Sequence, residues 1–207
     1  MRFETPWLDV TRPLGAATFV FPGDPPVQLH PHATLDSHGC HVTGLSMGSH
    51  SGTHVDAPAH FVRGGATLSE VPLGRWNGPV WVLEIPASAT IDEADLALAW
   101  PRAGAPERVL LNTRTTALAH PSSGLNLRAA VWLLERGVRL VGIDTPSIEC
   151  DDTGLFPVHH ALLGADCLII EGLDLRGIAA GPYGMVCMPL KLDAPDGAPA
   201  RVALQPL

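Results

Sequence analysis

The chain has 207 residues, of which 46% are hydrophobic and 16% charged, and its formal net charge is −8. This balance predicts a folded protein with a sizeable core and a single domain over 1–207. The acidic balance, without a run of lysines and arginines, argues against a nucleic acid or an anionic membrane as partner. No apolar stretch is long enough for a membrane span, no signal peptide is recognisable and the four cysteines are scattered, so we expect a cytoplasmic protein.

The first 50 residues indicate short extended pieces at 7–11 and 17–21, separated by turns. Apolar runs and alternation predict strands, in chain order, over 42–47 (half-buried), 80–85, 108–113, 138–143, 168–171, 185–192 and 201–204. Helices are predicted over 92–100, ended by Pro101, and over 125–136, ended by Gly137.

The segment 108–143 is the clearest unit of the chain. A buried strand, an amphipathic helix and a second buried strand follow one another with short connections, which makes a βαβ unit with two parallel strands. Because several strands precede this unit, we predict an α/β domain with a mixed sheet rather than a plain doubly wound one.

Histidine is the unusual residue of this sequence. Seven of the ten histidines fall between residues 30 and 60, and the segment 49–61 places His50, His54, Asp56 and His60 at positions i, i+4, i+6 and i+10. Imidazole nitrogen and carboxylate oxygen are ligands for zinc, manganese or iron. Two histidines four residues apart can share one face of a helical turn, and a bend in the chain would bring Asp56 to the same point. We therefore predict a metal site here.

Two histidines and one carboxylate leave coordination positions open, which favours catalysis over a structural role. Further ligands are expected near the ends of other strands, where His159, His160 and Glu171 are candidates. Glu171 closes a buried apolar strand, and a buried carboxylate is costly unless it is paired or bound to metal. The other histidines are expected to be exposed or satisfied in the core; they are His30, His32, His38 and His41.

Other catalytic motifs are weaker. The segment 44–48 reads G-x-S-x-G, the nucleophile motif of serine hydrolases, but Ser46 lies in an alternating strand pattern with no helix directly after it. Neither a G-x-G-x-x-G segment nor a P-loop occurs, so no nucleotide cofactor is indicated.

The segment 50–61, HSGTHVDAPAHF, resembles the signature of the cyclase-like metal-dependent hydrolase family, which includes bacterial kynurenine formamidase and isatin hydrolase. Further matches follow the family's order, at 9–14 (DVTRPL), 21–24 (FPGD), 142–147 (GIDTPS) and 155–159 (LFPVH) followed by Glu171. The resemblance covers most of the chain. It implies a swivelling β/β/α fold and assembly as a homodimer or homotetramer.

The resemblance also implies a role for each matched residue. His50, His54 and Asp56 would hold a first metal ion, with Asp56 bridging to a second ion. His159 and Glu171 would complete the second position, and Glu171 would also touch the first ion. His60 would be the general acid and base. Phe21 would line the substrate pocket, at a position where the formamidases usually carry Trp. His160 is adjacent to the matched His159 and stays an alternative ligand.

These roles predict a hydrolase of C–N bonds with two Zn²⁺ per chain, Mn²⁺ being the alternative ion. Its first substrate would be N-formylkynurenine, converted to kynurenine and formate. The alternative is an enzyme that opens an isatin-like lactam or another small amide with a single Mn²⁺, and Phe21 keeps this alternative open. A non-catalytic metal-binding protein is the third hypothesis.

Overall fold

The computed structural model describes residues 6–85, 90–102, 104–115, 118, 123–150 and 153–207. Within these ranges the strands are β1 (Leu8–Asp9), β2 (Gln28–Ala33), β3 (Val42–Ser46), β4 (His54–Asp56), β5 (Gly78–Glu84), β6 (Thr90–Ile91), β7 (Arg108–Asn112), β8 (Gly124–Leu125), β9 (Leu140–Ile143), β10 (Leu168–Glu171), β11 (Gly181–Pro189) and β12 (Gly197–Pro206). The helices are α1 (Leu35–His38), α2 (Leu73–Trp76), α3 (Glu93–Ala99), α4 (Leu127–Glu135) and α5 (Pro157–Gly164), with a 3-10 turn at Pro58–His60.

One mixed sheet of eight strands organises the molecule. Its order is β1-β12-β11-β5-β7-β9-β10-β4, and the short strand β4 also pairs with β12, so the sheet closes on itself as a barrel. The neighbours β5, β7, β9 and β10 are parallel, whereas β11, β12 and β4 pair antiparallel. Closure through β4 places the segment 54–56 between β10 and β12, which both lie more than 100 residues later in the sequence.

The parallel strands are built from successive βαβ units. Among the described residues, β5-α3-β7, β7-α4-β9 and β9-α5-β10 each join two adjacent parallel strands. Parallel strands covered on both faces consist of continuous apolar residues. In β7, Leu110 faces the interior of the closed sheet, while Val109 and Leu111 face the helices. The core therefore has two layers, one inside the barrel and one under the helices.

Both longer predicted helices form and begin at capping residues. The Asp92 side chain accepts hydrogen bonds from the backbone N–H groups of Ala94 and Asp95 in a capping box, and helix α3 starts one residue later. Asn126 caps α4 in the same way through the N–H of Ala129. The ends move inward by one or two residues from the predicted ranges because the capping residues themselves are not helical.

The predicted fold class, an α/β domain with a mixed sheet and a βαβ unit, is confirmed. The predicted strand at 42–47 forms as β3 over Val42–Ser46, but four of its five residues are exposed and the strand is not half-buried. In the described part of the chain it pairs with β2 alone, in a hairpin outside the main sheet. The apolar piece at 17–21 forms no strand.

The four cysteines are free thiols, and Cys40 is exposed. Desolvation raises the pKa of the buried Cys167 and Cys187 thiols to about 12, so both side chains are neutral apolar groups of the core. Within the described ranges, every helix is too short or too polar to cross a membrane.

Candidate metal centre

The predicted metal-binding segment lies on a turn and a strand, not on a helical turn. His50 is in the turn before β4, and His54 and Asp56 are alternate residues of β4. Side chains at i and i+2 of a strand point to the same face, which is why His54 and Asp56 lie together. The expected helical face is therefore wrong: the common direction comes from the two-residue period of a strand.

Strand pairing brings Glu171 to the same place. Glu171 is the last residue of β10 and lies directly opposite His54 in the antiparallel pair β4–β10. The two strands end close together because Gly172 follows: a Cβ on Gly172 would lie 2.4 Å from the carbonyl oxygen of Gly52. The buried carboxylate that the sequence indicated thus meets the histidine segment.

The histidine nitrogens converge on two buried carboxylates. His54 Nε2 lies 3.3 Å from Glu171 Oε2 and 3.5 Å from Asp56 Oδ1. His159 Nε2 lies 3.2 Å from Glu171 Oε1, and His50 Nδ1 lies 2.9 Å from Asp56 Oδ1. Four of these five side chains are buried, and that of His50 is 15% exposed. All five predicted ligands therefore share one site.

His159, not His160, faces the site. His159 lies in the first turn of helix α5, so the expectation that this ligand sits near a strand end is wrong. His160 is the next helical residue and points to solvent, since successive helical side chains are about 100° apart. The carboxylate of Glu149 accepts the N–H groups of Val158 and His159 at the start of α5 and thereby fixes this turn.

The second nitrogen of each buried histidine is also held. His54 Nδ1 is 2.9 Å from the carbonyl oxygen of Gly52, and His159 Nδ1 is 3.1 Å from Glu149 Oε2. A histidine whose one nitrogen donates to such an acceptor offers the other nitrogen as a metal ligand. Both rings therefore direct Nε2 at the carboxylates.

The partner charges outweigh burial in setting the ionisation of the site. Burial disfavours the charged form of His159, but hydrogen bonds with Glu149 and Glu171 raise its pKa to about 10. Burial also disfavours the charged form of His50, but the hydrogen bond with Asp56 raises the pKa of His50 to about 9. Burial would raise the pKa of Glu171, yet hydrogen bonds with His159 and His54 hold it well below the ordinary value. The carboxylates are anions within a polar pocket.

His60 differs from the other histidines of the segment. It ends the 3-10 turn at Pro58–His60 and stacks on His50, with ring centroids 4.0 Å apart. Among the described residues none hydrogen-bonds its ring, and burial lowers its pKa below the ordinary value. His60 is thus neutral at pH 7, and its ring nitrogens are available to exchange a proton.

A cavity of about 470 Å³ opens onto these side chains. This volume accommodates a small organic molecule. Phe61 lines the cavity, with its ring centroid 4.7 Å from that of His159 and 5.1 Å from that of Phe156. Phe21 continues the aromatic wall, 6.3 Å from Phe156. Phe21 therefore lines the cavity, and its contact with a substrate stays a prediction.

Residues outside the predicted set complete the site. Two of them were not predicted from the sequence. Glu149 orients His159, and Oδ2 of Asp196 lies 3.0 Å from His50 Nε2. The aromatic wall residues Phe61 and Phe156 were not predicted either. Glu149 lies just after the segment 142–147. An acidic residue that directly follows an apolar one at this place is the one sequence signal that could have pointed to it. Asp196 lies in a turn-like D-A-P-D-G stretch and carries no such signal.

Several candidates lie away from the site. Ser46 is the last residue of the exposed strand β3, with no helix directly after it, so the serine-nucleophile geometry is not formed. The remaining histidines of the first 50 residues are all exposed, on or beside the β2–β3 hairpin; they are His30, His32, His38 and His41.

The donor set fits divalent metal ions. Asp56 Oδ2 is buried without a hydrogen-bond partner among the described residues, which is costly unless a cation is bound there. Ligand atoms of His54, Asp56 and Glu171 lie within 4.8 Å of one another, as do those of His50, Asp56 and His60. Asp56 belongs to both groups, so its carboxylate would be a ligand in either of them.

The chain is similar to known proteins over its whole length. The model of the Cyclase family, described as "Putative cyclase", matches residues 8–150. The solved structure of a "Potential Metal-Dependent Hydrolase With Cyclase Activity" is 33% identical, with 98% of each chain covered and a TM-score of 0.83. A predicted metal-dependent hydrolase from Bacillus stearothermophilus is 32% identical, covering 97% of this chain and 98% of that one, with a TM-score of 0.81. Isatin hydrolase A from Labrenzia aggregata, bound to benzyl benzoate, shares the fold at 22% identity, with 98% and 94% covered and a TM-score of 0.83.

Proposed function

The chain belongs to the Cyclase family, and from this premise we propose that it is a metal-dependent hydrolase of small aryl amides. Its first candidate substrate is N-formylkynurenine, cleaved at the C–N bond to kynurenine and formate. The observation that carries this proposal is the buried Asp56 Oδ2, which has no hydrogen-bond partner among the described residues and lies beside histidines that line an aromatic cavity. Such an atom supports cation binding, and the cavity supports an aryl substrate.

Two divalent cations fit the donor set, Zn²⁺ first and Mn²⁺ as the alternative. His54, Asp56, Glu171 and the adjacent His159 would hold one ion, and His50 with Asp56 would hold the other. This arrangement differs from the sequence-based one, because His54 converges with Glu171 more closely than with His50. A bound divalent ion polarises a carbonyl group and lowers the pKa of a water ligand towards about 7.

The chain's own residues provide the remaining steps. Phe21, Phe61 and Phe156 hold the aryl ring by apolar contact and restrict water in the cavity. Neutral His60 can take a proton from the attacking water and give it to the departing amine nitrogen, because its ring has no competing hydrogen bond among the described residues. The amine cannot leave readily as an anion, so this proton transfer is required for C–N cleavage.

The opening of an isatin-like lactam is the second candidate. Phe21 favours it over a strict formamidase assignment, because the kynurenine formamidases that the sequence resembles usually carry Trp at this position. A lactam hydrolase of this kind is expected to use a single Mn²⁺. The number of metal ions per chain therefore separates the two candidates.

The proposal is tested by incubating the purified, metal-loaded protein with N-formylkynurenine or with isatin, each with and without a chelator. We expect formate release from N-formylkynurenine that stops with the chelator and returns with added Zn²⁺. Chelator-sensitive ring opening of isatin without formate release would favour the lactam hydrolase. Equal activity with and without the chelator would contradict a metal-dependent hydrolase.

Replacement of Phe21 by Ala is expected to raise KM for an aryl amide with little change in kcat. The loss of one aromatic contact corresponds to about 0.5–1.5 kcal/mol, or roughly 2- to 12-fold. Steady-state kinetics of F21A and F21W measure the effect, and F21W should lower KM for N-formylkynurenine. Leu98→Ala, at an exposed position of α3, is the matched control. An unchanged KM in F21A would remove Phe21 from the substrate site.

We also propose that the chain assembles as a homodimer or homotetramer. The β2–β3 hairpin stands outside the main sheet and exposes half or nearly half of the side chains of Leu29, Val42 and Leu45 to solvent. Burial of such apolar groups favours association. Light scattering at micromolar concentration should give two or four times the chain mass of 21.8 kDa. A mass of one chain would contradict assembly.

We also propose a cellular compartment and a class of binding partner for the protein. We place it in the cytoplasm, because its four cysteines are free thiols and a reducing compartment keeps them so. Its partner would be a small-molecule amide, since the cavity is of that size. The net charge of −8 disfavours nucleic acid and anionic membranes as partners.

A further inference from the structure

Asp196 is the acceptor that holds the outer nitrogen of His50. His50 Nδ1 faces Asp56 Oδ1 at 2.9 Å, and His50 Nε2 faces Asp196 Oδ2 at 3.0 Å. The ring is thus held between two carboxylates that lie 140 positions apart in the chain. Asp56 is buried, whereas the Asp196 side chain is 29% exposed and does not line the described cavity. The Asp196 side chain therefore reaches the site through His50.

The position of Asp196 is fixed from three directions. Its backbone oxygen accepts the N–H of Ala57 at 2.7 Å, and its Oδ2 also accepts the hydroxyl of Ser49. The next residue, Gly197, begins β12 and pairs with Asp56. A Cβ on Gly197 would lie 2.3 Å from the oxygen of Val55 and 2.9 Å from the His50 ring. A side chain at position 197 would clash with both groups. Glycine therefore allows the β11–β12 loop to approach β4 closely, and this approach brings Asp196 next to His50.

Glu149 and Asp196 each hold the outer nitrogen of one histidine of the site, but they differ in their other hydrogen bonds. Glu149 also caps helix α5 through the backbone N–H groups of Val158 and His159, so its loss would disturb the fold. Among the described residues, the Asp196 side chain bonds no helix terminus, and its side-chain partners are Ser49 and His50. The effect of Asp196 on the centre can therefore be measured separately from folding.

We propose that Asp196 is a positioning residue, which keeps one His50 nitrogen directed at Asp56 and thereby sets the affinity of the cation position beside His50. This inference rests on the proposed function. A hydrogen-bonding acceptor behind a ligating histidine fixes the ring and increases its basicity, and its loss typically costs about 10- to 100-fold in metal affinity. The effect should be confined to one of the two positions, because His54 and His159 are oriented by other acceptors.

The test is a calorimetric titration of the metal-free protein with Zn²⁺, repeated with Co²⁺ and followed by absorption. Wild type should bind two ions. Asp196→Ala should bind one ion normally and the other about 10- to 100-fold more weakly. Asp196→Asn keeps an acceptor oxygen and should lose less. Ser49→Ala removes only the hydroxyl that steadies Asp196 and should weaken the same position slightly. Asp193→Asn, exposed in the same loop, is the matched control and should match wild type.

The outcomes separate this inference from the function on which it rests. If wild type binds no divalent ion, the proposed function fails. If wild type binds two ions and Asp196→Ala binds both equally well, only the role of Asp196 is overturned. Equal weakening of both positions would also overturn it, because Asp196 would then act on the fold. Circular dichroism confirms that each variant is folded, and Ser49→Ala provides the same test should Asp196→Ala unfold.

Discussion

Replacement of His60 by alanine should lower kcat for an aryl formamide by about 10²- to 10⁴-fold, the range for loss of a general acid and base. His60 stacks on His50, and burial lowers its pKa below the ordinary value, so the ring is neutral and able to move a proton. The metal content of the variant should equal that of wild type. Steady-state kinetics and metal analysis of the same preparation measure both quantities.

A change of leaving group distinguishes proton transfer from a structural role of His60. An aryl formate ester releases a phenolate that leaves without a proton, so H60A should lose less activity on the ester than on the amide. His41→Ala, at an exposed position beside the hairpin, is the control and should behave as wild type. Equal losses on both substrates would refute the proton donor. A loss of metal in H60A would instead make His60 a ligand, since its ring also lies near His50 and Asp56.

Replacement of Asp56 by asparagine should abolish both cation binding and hydrolysis. Asp56 is buried, contributes to both groups of converging ligand atoms, and has one oxygen without a hydrogen-bond partner among the described residues. Asn keeps the shape of the side chain but removes its charge. The affinity of both positions should therefore fall by more than the roughly 10- to 100-fold that is typical for loss of an outer-shell partner. Metal content after dialysis and formate release provide the measurements.

A second carboxylate variant makes this prediction specific. Glu171→Gln should weaken mainly the position next to His54, because Glu171 belongs to only one of the two groups. Asp36→Asn, at an exposed position of α1, serves as the control. Full metal content in D56N, in a variant that circular dichroism shows to be folded, would contradict a bridging role for Asp56.

The fold was predicted best from the sequence where one local pattern determined both the secondary structure of a segment and the packing of its elements. The segment 108–143 formed the predicted βαβ unit because its apolar period and its cap at Asn126 agree with each other. The histidine segment was also found from its composition alone. Its geometry was misjudged, because spacing of four suggests a helix, whereas His54 and Asp56 lie on a strand fixed by pairing with β10 and β12.

Contacts between distant segments could not be obtained from local patterns. Nothing near Asp196 indicates that it meets His50, since the contact follows from the register of β12 on β4. Nothing near Glu149 indicates its contacts either. Glu149 caps α5 because the connection between β9 and α5 brings the first turn of this helix to its carboxylate. The exposed strand β3 shows the opposite limit: its alternation predicted a strand correctly, but not that its apolar side chains would face solvent.

Anomalous X-ray diffraction at the zinc absorption edge, from crystals grown with Zn²⁺, tests the central claim most directly. The account predicts two peaks joined by Asp56, one bonded to His54, Glu171 and His159 and the other to His50, at ligand distances of about 2.0–2.2 Å. A map without a peak among these side chains, from a protein that nevertheless hydrolyses the amide, would contradict it.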